Sequence, residues 1–216
     1  MITSDQSYDN FSHTFSKSRK AMKWPEMDYF MDFIKSKIWD NRNLLVLDIW
    51  CGNWRLLNYL KPNNLDKFYL WIDESTWMIN EAKLEYPSHN FKVLDMTNLD
   101  KLDKKYDFIF FIASFHHLKN QEERQGVLQK TLKLINKGGF IFMTNWNLLS
   151  EINSKRYQEI TKWSQDFNIK IWEFSRFYHG FRVEELENLF KKTGFEVIEN
   201  RIFEWDKNII SIVGVN

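Results

Sequence analysis

Apolar residues along this chain recur at helical spacing in some stretches and in unbroken runs in others, and the two kinds alternate. Behind Pro25, the residues Met27, Phe30, Met31, Ile34 and Ile38 share one face at steps of three and four, which predicts a helix opened by proline. Residues 44–49 form a short apolar run, read as a buried parallel strand. Leu56, Leu57 and Leu60 then predict a helix, and residues 68–73 a second strand. Ser75 is placed to cap a helix carrying Met78, Ile79 and Ala82. Residues 91–95 read as a third strand and the strongly apolar 106–112 as a fourth. A helix over 121–135 places Val127, Leu128, Leu132 and Ile135 inward, and Gly138-Gly139 punctuates its end before a fifth strand at 140–144. Residues 150–166 read as a polar helix and 183–192 as a helix stopped by Gly194. Two last strands lie near 195–204 and 208–215.

Strands alternating with helices imply an α/β fold: a doubly wound, mostly parallel seven-stranded sheet with helices on both faces. The pattern suits one domain over residues 1–216. Residues 1–40 form an arm and helix, 44–145 the core, 146–181 a lid-like segment over a substrate, and 182–216 a closing helix and strands.

Composition narrows the class. Hydrophobic residues make up 44% and charged residues 27%, with a net charge of +1, so overall charge announces no nucleic-acid binder. Lysine and arginine do cluster locally, at Lys17, Arg19, Lys20 and Lys23 and again at Lys130, Lys133 and Lys137; a solvated face is the ordinary reading. No apolar run reaches the 18 or so residues needed to cross a membrane, and the polar start reads as no signal peptide. Cys51 is the single cysteine, which excludes an internal disulfide and a cysteine metal cage, and fits a reducing cytoplasm.

In an open parallel sheet, ligands bind beyond the carboxyl ends of the strands. Asp48, Asp73 and Asp95 stand at or near the ends of the first three predicted strands. A carboxylate at Asp73 suits two ribose hydroxyls, and one at Asp95 suits an adenine amino group. The alternative is three acids that cap helices or sit in loops.

The segment Leu47-Asp48-Ile49-Trp50-Cys51-Gly52-Asn53-Trp54 resembles the first motif of class I S-adenosylmethionine-dependent methyltransferases, L-D-x-G-C-G-x-G, with tryptophan at two glycine places. Residues 69–79 are similar to the second motif, Y-x-G-I-D-x-S-x-x-M-I, with Trp71 at its glycine. Val93-Leu94-Asp95-Met96 matches a third, Tyr106 through His116-His117-Leu118 a fourth, and residues 134–139 a fifth. The resemblance implies S-adenosyl-L-methionine as a small-molecule methyl donor. It implies a cofactor site made of Asp48, Trp50, Cys51, Gly52, Trp54, Asp73, Glu74, Asp95, Met96 and Ala113, with no metal. It places His116 and His117 at the acceptor pocket as candidate catalytic, acceptor-orienting residues.

A narrower resemblance joins Arg19 and Lys23-Trp24-Pro25 to Arg176-Phe177-Tyr178-His179 and Glu184-Glu185-Leu186. These look like signatures of the tRNA wobble-uridine carboxymethyl methyltransferases, with Ala21-Met22 breaking the first. They imply a tRNA acceptor, leave room for an accessory subunit, and make Arg19, Arg176, Tyr178 and His179 candidates for binding an acceptor carboxylate or RNA phosphate. A carboxylate acceptor is ionised near neutral pH and needs no general base. Two other readings stay open: a small-molecule methyltransferase of the same fold, and an inactive binding protein. A nicotinamide-dependent oxidoreductase fits less well, because no G-x-G-x-x-G run follows the first strand.

Glycine numbers only 7, against about 15 at average usage, while tryptophan numbers 10. Both anomalies meet at Trp50, Trp54 and Trp71, and Trp77 lies close by. The expectation is that these four are glycine in the working protein, written as tryptophan because codon UGA means one residue in some translation tables and the other in its host. Trp39, Trp172 and Trp205 are candidates for the same set, whereas Trp24 matches a family tryptophan.

Overall fold

A computed structural model describes residues 24–37, 43–50, 55–157, 165–171 and 174–215. Helix α1 (Pro25–Lys37) leads into strand β1 (Leu45–Ile49), the short helix α2 (Leu57–Leu60), β2 (Phe68–Asp73), α3 (Thr76–Glu85) and β3 (Asn90–Val93). Then come β4 (Tyr106–Ile112), α4 (Gln121–Leu134), β5 (Ile135–Trp146) and α5 (Glu151–Arg156). The chain ends with β6 (Asp166–Ile171), β7 (Phe174–His179), α6 (Val183–Lys192), β8 (Glu196–Ile202) and β9 (Asn208–Gly214).

The main sheet has seven strands in the order β3-β2-β1-β4-β5-β9-β8. Pairings from β3 through β5 are parallel, and β9 runs antiparallel to both β5 and β8. The doubly wound, mostly parallel sheet expected from the sequence is the one observed. Strand order reverses between β1 and β4, and the crevice beyond their carboxyl ends is where such a sheet binds ligands.

Each face carries its own core. Val46, Tyr69, Trp71, Phe108, Phe110 and Phe142 bury one face under α1, α2 and α3. Leu47, Ile49, Ile72, Ile109, Phe111 and Met143 bury the other under α4 and α6. Helix α1 forms because Met27, Phe30, Met31 and Ile34 repeat on one side, and all four are buried. Fully burying such side chains contributes roughly 1.5–3 kcal/mol each. Phe30, fully buried with its ring 5.2 Å from Phe142, is the single change that would loosen the helix most, at about 3–5 kcal/mol for truncation to alanine. Ile38, expected on the same face, lies outside the described residues.

The sequence expectation fails at three places. Helix α2 is one turn, continued by a 3-10 turn over Lys61–Asn63. Strand β5 begins at Ile135, before the glycine pair, because Ile135 pairs with Tyr106 ahead of a bulge in the β4–β5 ladder. The polar helix expected over 150–166 appears as α5, with 158–164 outside the described residues, and β6 and β7 pair as an antiparallel hairpin that the sequence reading did not include. Asp166, Asn168 and Lys170 point outward, whereas Phe167 and Ile169 are buried with Leu148 and Tyr178. That alternation of period two is what a half-buried strand requires. No helix among the described residues is long and apolar enough to cross a membrane.

Candidate active site

The first strand ends in an unusual turn. Ile49 closes β1 and Trp50 follows with φ of 62°, the left-handed region. Its N–H donates to the carbonyl of Ile72, 2.9 Å away, which ties the turn to β2 just before Asp73. The Trp50 indole lies edge-on to His117, with ring centroids 5.2 Å apart, and the Arg176 guanidinium sits 4.7 Å from it. Its Nε1–H is buried without a hydrogen-bond partner. Cys51, Gly52 and Trp54, expected in the same turn, lie outside the described residues, as does Arg19.

Asp73 ends β2 and is 1% exposed. Its Oδ1 accepts the Ser75 N–H at 2.9 Å, and Ser75 in turn caps α3 through the Met78 N–H. Oδ2 is buried without a partner. Burial pushes the carboxyl up to about 8, the charge of Glu74 adds to the rise, and the Ser75 N–H and the Arg176 charge oppose it. Glu74 itself is exposed. A buried carboxylate oxygen with nothing to accept from is expensive, and in native proteins it marks a place where a ligand or water supplies the donor.

The other two strand-end acids have structural partners. Asp48 is fully buried and accepts the Tyr69 hydroxyl at 2.7 Å. Asp95 caps the 3-10 turn at Met96–Lys101, its Oδ1 accepting both the N–H and the hydroxyl of Thr97 at 2.6 Å. That oxygen is therefore committed to the cap. Met96 is buried. Ala113, just beyond β4, has φ of 52° and donates its N–H to the carbonyl and hydroxyl of Thr144, binding the ends of β4 and β5 together.

A cluster of polar atoms without partners follows at those two strand ends. Ser114, His116 and Asn145 are all fully buried. The Ser114 hydroxyl, His116 Nε2 and both amide atoms of Asn145 have no hydrogen-bond partner. His116 Nδ1 accepts the Trp146 N–H at 3.2 Å, which leaves its proton on Nε2. Burial, with the nearby charges of Arg176 and His179, pushes the His116 imidazole down to about 3, so it stays neutral near pH 7 and presents an N–H donor. A neutral imidazole of this kind can donate a hydrogen bond but is a poor base near pH 7. His117 donates Nδ1–H to the Phe177 carbonyl, 2.8 Å away on β7.

Of the outer signature, Arg176 and Tyr178 reach this place, Arg176 over the Trp50 indole and Tyr178 against both histidines. Tyr178 is buried and stacks on Trp146, centroids 5.0 Å apart and 18° from parallel, with both histidines against it. His179, expected to bind an acceptor anion, faces two carboxylates instead, Asp166 Oδ1 at 2.6 Å and Glu185 Oε1 at 2.9 Å. A ring enclosed by two carboxylates has no nitrogen left for an anion, so that assignment is corrected. His179 joins the hairpin to α6. The alternative of an acid that caps a helix is thus realised at Asp95. Sequence reasoning missed Ser114 and Asn145, whose signal was polarity at the ends of apolar strands. It also missed Asp166, for which no signal existed, and gave no role to Glu185, which stood in the Glu184-Glu185-Leu186 signature. Among the described residues no group of histidine, cysteine and acid side chains is arranged to hold a metal ion.

Comparison with known proteins agrees with this geometry. A putative methyltransferase of Invertebrate iridescent virus 6 is 41% identical over 88 residues, 36% of this chain and 33% of its own. A tRNA (carboxymethyluridine(34)-5-O)-methyltransferase of Saccharomyces cerevisiae is 28% identical over 152 residues, 70% of this chain and 50% of its own. The chain spans between a third and half of the length of these two curated relatives. Among solved structures, an S-adenosylmethionine-dependent methyltransferase from Clostridium acetobutylicum superposes with a TM-score of 0.71 at 17% identity, covering 97% of this chain and 99% of its own. The model of the methyltransferase domain family matches residues 24–200, most of the length, and the chain belongs to that family.

Proposed function

We propose that this methyltransferase domain uses S-adenosyl-L-methionine and that its acceptor is the carboxylate of a modified wobble uridine in tRNA. The observation that carries the donor side is Asp73 Oδ2, a buried acceptor with no partner at the end of β2. The two ribose hydroxyls of the donor supply the missing protons, and a carboxylate also rejects a phosphorylated ribose. The donor brings an already activated methyl group on a sulfonium centre.

The residues of the chain then have three tasks. Asp73 holds the donor and Arg176 provides a fork for an acceptor carboxylate. Arg176 lowers the Asp73 carboxyl through its charge and lies over the turn at 50, so the two residues serve one place. Ser114, the His116 Nε2–H and the Asn145 amide offer neutral donors and acceptors, suited to fixing a base edge in line with the methyl group. The covering hairpin excludes water. No group has to take a proton from an ionised carboxylate, which agrees with a neutral His116.

The acceptor class is supported by similarity to proteins named tRNA (carboxymethyluridine(34)-5-O)-methyltransferase in Saccharomyces cerevisiae and Arabidopsis thaliana. The basic arm at 17–23, proposed to contact RNA phosphates, lies outside the described residues. Incubation with labelled S-adenosylmethionine, total tRNA and a metabolite extract tests the reading. Label in a base-labile ester on tRNA is the expected result. Label confined to a small metabolite would replace it with a small-molecule methyltransferase.

A further inference from the structure

We propose that position 50 is glycine in the polypeptide that the native host makes, and that the written Trp50 closes the donor site. Three observations at this one residue converge. The backbone there has φ of 62°, a conformation in which a Cβ crowds the following carbonyl and which glycine adopts freely. The indole N–H is buried with nothing to bond. The ring lies between His117 and Arg176, beyond the carboxyl end of β1, where the sheet order reverses. A residue that is strained, has an unsatisfied donor and fills the ligand crevice serves neither the fold nor a site.

The turn explains why the backbone does not simply relax. The Trp50 N–H is fixed to the Ile72 carbonyl, so the chain must bend at this position to leave β1 alongside β2. The bend is dictated by the sheet, and the side chain is left to fit it. Glycine relieves the strain, removes the orphaned N–H, and withdraws the ring from its place between His117 and Arg176 beyond the carboxyl end of β1. Clearing that crevice is what the proposed donor requires, and to that extent the inference rests on the function proposed above.

The written tryptophans do not all behave alike. Trp71 is fully buried against Phe91 in an ordinary strand, rings 5.5 Å apart and nearly perpendicular, and no strain marks it. Trp77 is half-buried on α3. Trp54 lies outside the described residues. Among the described members of this set, the left-handed backbone belongs to position 50. A shared codon, UGA, extends the inference to the others by chemistry of translation alone: the symbol that decodes as tryptophan in one table decodes as glycine in another. A chain with 10 tryptophans and 7 glycines is what such a misreading produces.

The decisive experiment is mass spectrometry of the protein isolated from its host, on the tryptic peptide that starts after Arg42 and ends at Arg55. Glycine at position 50 is expected, with UGA at that codon in the gene. Tryptophan at 50, or a UGG codon, would overturn the proposal. A second measurement reads the backbone independently of any ligand. In the recombinant chain, Trp50→Gly should melt above Trp50→Ala, the reverse of the order at an unstrained site. Equal melting, or alanine above glycine, would contradict a left-handed turn there. A native chain with glycine at 50 that fails to bind S-adenosylmethionine would leave this inference standing and sink the proposed donor.

Discussion

Asp73 and His179 are both buried ionisable groups near the same crevice, and they are treated in opposite ways. His179 has a carboxylate at each ring nitrogen, and Gln165 and the Arg182 N–H complete the shell around Glu185. Asp73 has one partner on one oxygen and none on the other. The first arrangement is a clamp, closed within the chain itself and holding the hairpin to α6. The second is left incomplete, with one oxygen unfilled. Burial by itself does not mark a functional residue; the difference lies in whether the hydrogen-bond valences are filled.

Breaking the clamp should have the largest effect. His179→Ala leaves Asp166 and Glu185 without the imidazole that bridges them. Because Asp166 is about half exposed, the lower end of the range for a broken buried pair applies, about 3 kcal/mol, read as a fall in denaturant midpoint. A midpoint within error of the parent would remove the clamp from the account.

The Asp73 arm predicts the opposite sign. The folded carboxyl titrates at about 8 against an ordinary 3.8, so the folded state holds the proton more tightly than the unfolded state. Its contribution is favourable below about 4 and is lost as pH rises towards 8. Asp73→Asn should therefore raise the ligand-free melting temperature, with a gap over the parent that widens from pH 5 to pH 8. A constant gap would show that the carboxyl does not titrate as its burial requires.

The acid limb gives the smallest effect. Burial holds His116 down at about 3, so the unfolded chain binds a proton that the folded chain does not, and stability falls as pH drops from 6.5 towards 3. Glu185 acts in the same direction at lower pH. Burial alone would raise it, but hydrogen bonding and the charge of His179, with Gln165 and Arg182, hold it below the ordinary value. Its contribution is present above about 4.5 and fades as pH falls through the depressed value. His116→Phe should flatten the upper part of this limb in a melting series from pH 7 to pH 5, and an unchanged slope would count against a buried neutral imidazole.

Much of the fold was legible from periodicity. Strands β2 and β4 and helix α6 appear where their apolar runs end, because a strand buried on both faces has few other readings. The hairpin was not, since Phe167 and Ile169 alternate with polar residues directly after a stretch that reads as a polar helix to 166, and so short an alternation gave no strand reading of its own. In the site, Asp73 was singled out because a strand-end acid in a parallel sheet has a known geometric use, and it is an acid the fold buries with one oxygen unfilled. Asp95 carried the same signal and became a cap, its Oδ1 taken by Thr97. Ser114 and Asn145 could not be singled out from sequence, because a polar residue at a strand end reads the same whether or not the fold supplies a partner.

The direct test of the central claim is calorimetry of S-adenosylmethionine with the chain carrying glycine at position 50, compared with the same chain bearing Asp73→Asn. Measured above pH 8, where Asp73 is ionised, a hydrogen bond to a charged group is worth about 1.5–3 kcal/mol, so affinity should be lower by roughly ten- to a hundredfold in the variant. Equal affinity in the two chains would show that the unfilled oxygen of Asp73 is not where the donor binds.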